Sequence, residues 1–290
     1  MTTSQDFSQQ GPQDDATELS QAELSQWERF GVDTTTPHSA RVYDYWLGGK
    51  TNFPPDRAMG QAIEQAVPSI KEMAKANRAF QGRAVRHLAR EHGIRQFLDL
   101  GTGIPTSPNT HEIAEAVSPG TRVVYVDNDP IVLAHARALM VSSPASRTTY
   151  IHADLRKAEE LFADPALTST LDLTQPVGLL MIAVLMLIAD EDDPWGRVAA
   201  LRDALPAGSC IALTTPTPDF DPEAVGKVAE AARAGGMTLV PRGYDDVVRF
   251  FDGWELVEPG VAPVLAWRPD GEPPADPKAA YYWGGVAIKR

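Results

Sequence analysis

The sequence predicts a doubly wound α/β fold, a parallel sheet covered by helices on both faces. Short apolar, β-branched runs alternate with stretches of helical periodicity from residue 96 to residue 234. The first run ends on a carboxylate and a leucine and passes at once into a glycine turn. A composition of 43% hydrophobic and 22% charged residues over 290 positions supplies enough apolar surface for a sizeable core, which excludes a wholly disordered chain.

Taken in order, residues 1–33 read as an acidic, largely disordered tail, because the first twenty are rich in Gln, Ser and Asp and nearly free of apolar side chains. They have neither the basic start nor the apolar stretch of a signal peptide. Residues 37–53 form an aromatic, glycine-containing segment. Pro54 to Val67 reads as a helix entered through Pro54-Pro55 and closed by Pro68. Ile70, Met73, Ala74, Asn77, Phe80, Ala84, Val85 and Leu88 recur at helical spacing, and Gly93 supplies the stop. A strand at Gln96 to Leu100 leads into the glycine turn, a helix from Asn109 to Ala116, a strand at Arg122 to Val126 and a helix from Pro130 to Met140. Strands at Thr149 to His152, Val177 to Val184 and Ser209 to Thr214 follow, with helices at Trp195 to Leu205 and Pro222 to Ala234. Trp254 to Val257 and Tyr281 to Ile288 look like two more strands. With right-handed crossovers such a sheet binds ligands outside the carboxyl ends of its strands, where the strand order reverses.

Charge and cysteine usage narrow the function. The net charge of −13 argues against partners that are themselves polyanions, nucleic acid and anionic membrane alike. Nearly half of that charge sits in the first 36 residues, which hold seven acids and one base, Arg29. The single cysteine, Cys210, excludes a disulfide scaffold and fits a reducing, cytoplasmic setting. No Cys/His/Asp cluster has metal-ligand spacing. His111 and His135, on expected helices, read as packing or surface residues, and Asp190-Glu191-Asp192-Asp193-Pro194 reads as the start of the helix at Trp195.

The chemistry concentrates at the first strand–turn–helix unit, Asp99-Leu100-Gly101-Thr102-Gly103-Ile104-Pro105. Two glycines let the backbone approach a ligand closely. Asp127 closes the next strand, where a carboxylate would accept hydrogen bonds from ribose hydroxyls. Asp154 follows the third strand, where it could accept from an adenine amino group. A nicotinamide dinucleotide would need a third glycine at position 106, which is Thr106, and its pyrophosphate would meet the negative Asp99. Asp99 suits a cationic amino group instead. An adenosine without a phosphate and with a charged methionine amine is S-adenosylmethionine.

Several stretches carry a resemblance: PHSARVYDYWLGGKTNFPPDR (37–57), NRAFQGRAVRHLA (77–89), FLDLGTGIPTSPNTHEIA (97–114), VVYVDNDPIVLAHARALM (123–140), HADLR (152–156) and VVRFFDGWELVEPGV (247–261). Over about residues 34–290 the chain resembles the actinobacterial group of class I S-adenosylmethionine-dependent methyltransferases that long carried only an unknown-function label. The resemblance implies a seven-stranded, mostly parallel sheet with the last strand antiparallel. It also implies a helical lid (34–93) folded over the cofactor ahead of the α/β domain (94–290).

Within the lid segment, Tyr43, Tyr45 and Trp46 offer aromatic faces that could favour a sulfonium, while Gly48-Gly49 make a turn. Arg41 or Arg78 could pair with the methionine carboxylate. Trp46 reads as packing, whereas Tyr45 and the Gly-Gly-Lys turn read as cofactor contacts. The expected cofactor-binding set is therefore Arg41, Tyr45, Gly48, Asn52, Arg78, Asp99, Gly101, Thr102, Gly103, Asp127, Asn128, Asp154, Leu155 and Ala183. The family pattern breaks after the fourth strand, where relatives often carry histidine and this chain has Val184-Leu185-Met186-Leu187-Ile188. It breaks again after the fifth, with Thr214-Thr215 in place of a Ser-His pair. Both positions would face the acceptor, so no catalytic base is assigned. The expected function is methyl transfer to a small-molecule acceptor, with a non-catalytic sensor of S-adenosylmethionine or its demethylated product as the alternative.

Overall fold

The computed structural model describes residues 27, 29, 31–132, 134, 147–272 and 274–290. Of the tail expected over 1–33, residues 27, 29 and 31–33 are described, with Val32 buried against Phe53 and the Asp33 carbonyl accepting from Arg41. The rest of it and most of the helix expected from Pro130 to Met140, His135 included, lie outside the described residues. From residue 39 onward the described residues begin with three helices, α1 (Ser39–Trp46), α2 (Pro54–Ala66) and α3 (Ile70–Glu91). The alternating region follows as β1 (Gln96–Leu100), α4 (Thr110–Val117), β2 (Arg122–Asp127), β3 (Arg147–His152), α5 (Ala158–Phe162), α6 (Pro165–Thr170) and β4 (Gly178–Ile182). The chain then runs through α7 (Pro194–Asp203), β5 (Cys210–Pro216), α8 (Pro222–Ala234), α9 (Tyr244–Arg249), β6 (Glu255–Leu256), β7 (Ala262–Pro263) and β8 (Tyr282–Ile288). No helix among the described residues is long and apolar enough to cross a membrane.

The strands lie in the order β3-β2-β1-β4-β5-β8-β6, with the two-residue β7 also paired to β8. The pairs β1–β2, β2–β3, β1–β4 and β4–β5 are parallel, and β8 runs antiparallel to β5. The chain thus builds outward from β1 to β3 and then crosses back to place β4 on the other side of β1. That reversal opens a crevice at the carboxyl ends of β1 and β4. β1 and β5 are buried along their whole length, as a strand covered on both faces must be.

Each helix ends where its sequence dictates. Pro54 and Pro55 start α2, whose first turn is closed by Asp56 Oδ2 accepting from the Phe53 N–H at 2.8 Å. α3 stops before Gly93, which takes φ +66°, and the Ile94 N–H returns to the Leu88 carbonyl. Asp193 caps α7 by accepting from the Gly196 N–H at 3.0 Å. β4, expected to reach Val184, stops at Ile182 because Ala183 turns into the left-handed region at φ +52°.

The boundary expected at residue 93/94 does not coincide with a break in packing. Phe80, Ala84 and Leu88 of α3 are fully buried in the same core as Phe97 and Leu180 of the sheet. Fully burying one such phenylalanine or leucine is worth about 1.5–3 kcal/mol, so α3 is a structural layer of the sheet rather than a cover for it.

α1 is anchored differently, by charge. The buried Arg41 donates to the Asp33 carbonyl (2.7 Å) and the Thr36 carbonyl (3.1 Å). Its Nε lies 3.5 Å from Asp56 Oδ2 and 3.4 Å from Asp129 Oδ2. His38 joins the cluster, with its N–H donating to Asp56 Oδ1 (2.8 Å) and its Nδ1 3.1 Å from Asp129 Oδ2. Burial pushes the Asp56 carboxyl up, against the pull of its backbone donors and Arg41. Replacing Arg41 by Ala would leave two buried carboxylates without their cation. Chemical denaturation of Arg41→Ala should show a loss of about 3–5 kcal/mol, and a loss under about 1 kcal/mol would show that the cluster does not hold α1 in place.

Candidate cofactor site

A cavity of about 340 Å³ opens at the carboxyl ends of β1, β2 and β4, roofed by α1 and flanked by α3. The glycine turn forms its floor. Gly101 and Gly103 both take φ +66°, and a Cβ at Gly101 would collide with Val184. At Gly103 no protein atom lies within 4 Å of where a Cβ would stand, so bare backbone faces the cavity.

Three carboxylates surround that floor. Asp127 Oδ2 accepts from the Gly103 N–H at 2.8 Å, and its Oδ1 accepts from the Asp129 N–H at 2.9 Å. These two backbone donors fix the carboxylate, while burial pushes its pKa up. Asp99 Oδ2 accepts from Thr110 Oγ1 (2.7 Å) and Gln81 Nε2 (3.2 Å), which leaves Oδ1 for a ligand donor. Burial pushes the Asp99 carboxyl up to about 6, with the Asp127 charge adding to the shift. Asp154 accepts from Arg156 Nε and Nη2 and from the Arg156 N–H, and this pairing holds its carboxyl below the usual range. Arg156 in turn reaches Asp192 at 3.1 Å.

Arg78 is the cation at the other end. Its guanidinium donates to the carbonyls of Thr106 (2.7 Å) and Pro108 (3.1 Å) and to Gln81 Oε1, which aims it along the turn. Thr102, Asn128, Leu155 and Ala183 also line the cavity. The Ala183 N–H is held by Thr214 Oγ1 at 2.9 Å, which pins the strained residue. Sequence reasoning missed Ser39, Asn77, Gln81 and Thr238 on the cavity wall. Asn77, Arg78 and Gln81 stand at i, i+1 and i+4 on a helix, a polar stripe on a side otherwise used for the core, and that was the available signal.

Four expected contacts do not reach the cavity. Arg41 is consumed by the cluster with Asp56 and Asp129. Tyr45 packs its ring against Gly60, with Lys71 Nζ 5.3 Å from the ring centroid. Gly48 lies in the turn that wraps Asp44, whose Oδ2 accepts from the Thr51 N–H (2.9 Å) and from Asn52 Nδ2 (2.8 Å). Asn52 also donates to the Gly49 carbonyl and is therefore a clasp of that turn. Thr214 and Thr215 are fully buried and do not line the cavity, whereas Met186, Leu187 and Ile188 do. His111 packs, sharing a hydrogen bond with the Tyr125 hydroxyl at 2.8 Å.

The wall formed by residues 185–190 is held from behind. Arg242 donates to the carbonyls of Leu185 and Ile188, each at 2.8 Å, and pairs with Asp190 Oδ1 at 2.8 Å. Its guanidinium lies over the Trp195 and Phe250 rings. No histidine, cysteine or lysine is among the described residues lining the cavity.

Comparison with known proteins shows the family of the chain. A family model described as S-adenosyl methyltransferase matches residues 25–290. A protein from Streptomyces avermitilis MA-4680, of a family bearing only a DUF574 label, is 46% identical over 89% of this chain and 99% of that one, with a TM-score of 0.86. A candidate methyltransferase from Thermobifida fusca YX is 39% identical over 90% of this chain and 97% of that one, with a TM-score of 0.83. At 13% identity, magnesium protoporphyrin IX methyltransferase from Synechocystis PCC 6803, solved with bound S-adenosylhomocysteine, shares the fold (TM-score 0.50, 93% of this chain and 95% of that one). No curated protein matches, and none of these findings supports a binding-only sensor.

The raised pKa of Asp99 sets a pH dependence. Above about 6 the carboxylate is charged and attracts a cationic amine; below it, a proton must first be displaced. Calorimetric affinity for S-adenosylmethionine should fall about tenfold from pH 7 to pH 5. Asp99→Asn should bind more weakly at pH 7 and respond less to pH. A flat wild-type profile would separate Asp99 from the amine.

Proposed function

Since the chain belongs to the S-adenosyl methyltransferase family, we propose that it transfers the methyl group of S-adenosylmethionine to a small-molecule acceptor. The observation that carries this reading is the Asp127 carboxylate, held by the Gly103 and Asp129 N–H groups beside backbone with no side chain in front of it. Such a carboxylate is rigid, desolvated and ready to accept from a vicinal diol.

The rest of the cavity fits the remaining parts of the cofactor. Asp99 would accept from its amine, and Arg78, whose partners are two carbonyls and the Gln81 amide oxygen, would meet its carboxylate. Asp154 and Leu155 would border the adenine, with Asn128 beside the ribose. When bound, the cofactor supplies a methyl group made electrophilic by its sulfonium.

The chain's own contribution is placement and exclusion of water. Met186, Leu187 and Ile188 present an apolar wall, and α1 closes the opposite side through Ser39, Ala40 and Tyr43. With no imidazole lining the cavity, the rate enhancement rests on orientation, which supplies up to about 7–11 kcal/mol in well-held pairs. The cavity has the size of an ordinary small-molecule site, and in this reading the cofactor occupies it.

Incubation with isotopically labelled S-adenosylmethionine and a metabolite extract should yield a labelled small molecule; cofactor binding without any labelled product would reverse the assignment. Asp127→Ala should weaken S-adenosylhomocysteine binding by about 1–3 kcal/mol, read by calorimetry, and an unchanged affinity would move the ribose elsewhere.

A further inference from the structure

A second pocket, of about 40 Å³, adjoins the large cavity and shares Ser39, Tyr43, Met186 and Leu187 with it. We propose that this pocket receives the apolar body of the methyl acceptor, and that the acceptor is an uncharged, mainly apolar small molecule bearing an oxygen that Tyr282 hydrogen-bonds. The inference rests on the reading of the large cavity as the cofactor site.

The walls define the chemistry. Trp46, Ile70, Met73, Val228, Met237 and Leu239 are among them, and none of the described residues lining the pocket is charged. A carboxylate, phosphate or ammonium placed there would lose its hydration and gain no partner. Amino acids, nucleotides and phosphorylated metabolites are therefore excluded as occupants, while an alkyl or aromatic group is favoured.

The Tyr282 hydroxyl is one of the few polar atoms on this surface. Tyr282 is only 4% exposed, lines the pocket, and its hydroxyl makes no hydrogen bond among the described residues. A hydroxyl that faces a pocket and has no protein partner is available to a ligand atom there. Burial and the neighbouring Tyr43 hold its phenol well above the ordinary tyrosine range, so it keeps its proton and acts as a donor. Tyr43 differs. Its hydroxyl donates to the Ala74 carbonyl (3.0 Å) and accepts from Asn77 Nδ2 (3.0 Å), so it serves as the partition between the two spaces.

The free space is small, room for about three water-sized groups, but three of the wall residues, Met73, Met186 and Met237, are methionines. Unbranched thioether side chains re-pack around an entering group at little cost. The pocket is thus shaped for apolar contents and adjustable in size.

The test uses the full-length protein with isotopically labelled methionine methyl groups, assigned by Met→Leu substitution and saturated with S-adenosylhomocysteine. Titration with p-cresol should shift the Met73, Met186 and Met237 methyl resonances, whereas p-toluate and p-methylbenzylamine at the same concentrations should not. Tyr282→Phe should weaken p-cresol binding about five- to tenfold and leave the affinities for toluene and S-adenosylhomocysteine unchanged. Equal shifts from a charged probe, no shift of the three methyls with p-cresol, or an unaltered p-cresol affinity in Tyr282→Phe would each overturn the proposal. Calorimetry with S-adenosylhomocysteine separates the two readings: failure to bind it defeats the cofactor site, and binding without a p-cresol response defeats this pocket alone.

Discussion

One buried guanidinium organises the ligand-facing end of the molecule. Arg41 reaches the 33–36 loop through two carbonyls, the start of α2 through Asp56, and the end of β2 through Asp129. The Asp129 backbone N–H then fixes Asp127. A residue that never lines the cavity therefore sets the position of one that does. Burying an ion cluster brings little net stability, since desolvation offsets most of the attraction. What it contributes is geometry: α1 can sit in only one place relative to the end of β2, and the cavity roof is built to that register.

The sheet could be read from the chain because its signals are local. β-branched runs, flanking prolines and strand-end aspartates each report on a few residues, and they returned β1, β2, β5 and β8 nearly to the residue. The premature end of β4 was hidden because alanine gives no warning of a left-handed conformation; only the Thr214 contact from the neighbouring strand explains it. The N-terminal segment was misread for a related reason. Arginine, tyrosine, glycine and asparagine serve a ligand or a turn equally well, and the partners that decide, Asp44, Asp56 and Asp129, lie close in sequence for the first two and far away for the third. The glycine-turn residues were easier, since positive φ and a missing side chain leave few uses other than close approach.

Two chemically unlike spaces meet at Tyr43. The larger is rimmed by Asp99, Asp127, Asp154, Arg78 and Arg156, with each charge held by backbone or by another side chain. The smaller is lined by carbon and sulfur except for a few hydroxyls. The first offers fixed donors and acceptors suited to a polar, multiply charged molecule, and the second offers shape and hydrophobicity. The loop 185–190 belongs to both, and Arg242 supports it through backbone carbonyls.

That mode of support separates fold from specificity. Arg242 grips main-chain oxygens, which every amino acid supplies, so this hold on the loop is independent of the side chains at 186–188. Of the three, Ile188 is buried in the core of the sheet, while Met186 and Leu187 line both spaces. Side-chain changes at Met186 and Leu187 therefore act on the shared wall of the two spaces, whereas a change at Ile188 acts on the core behind it.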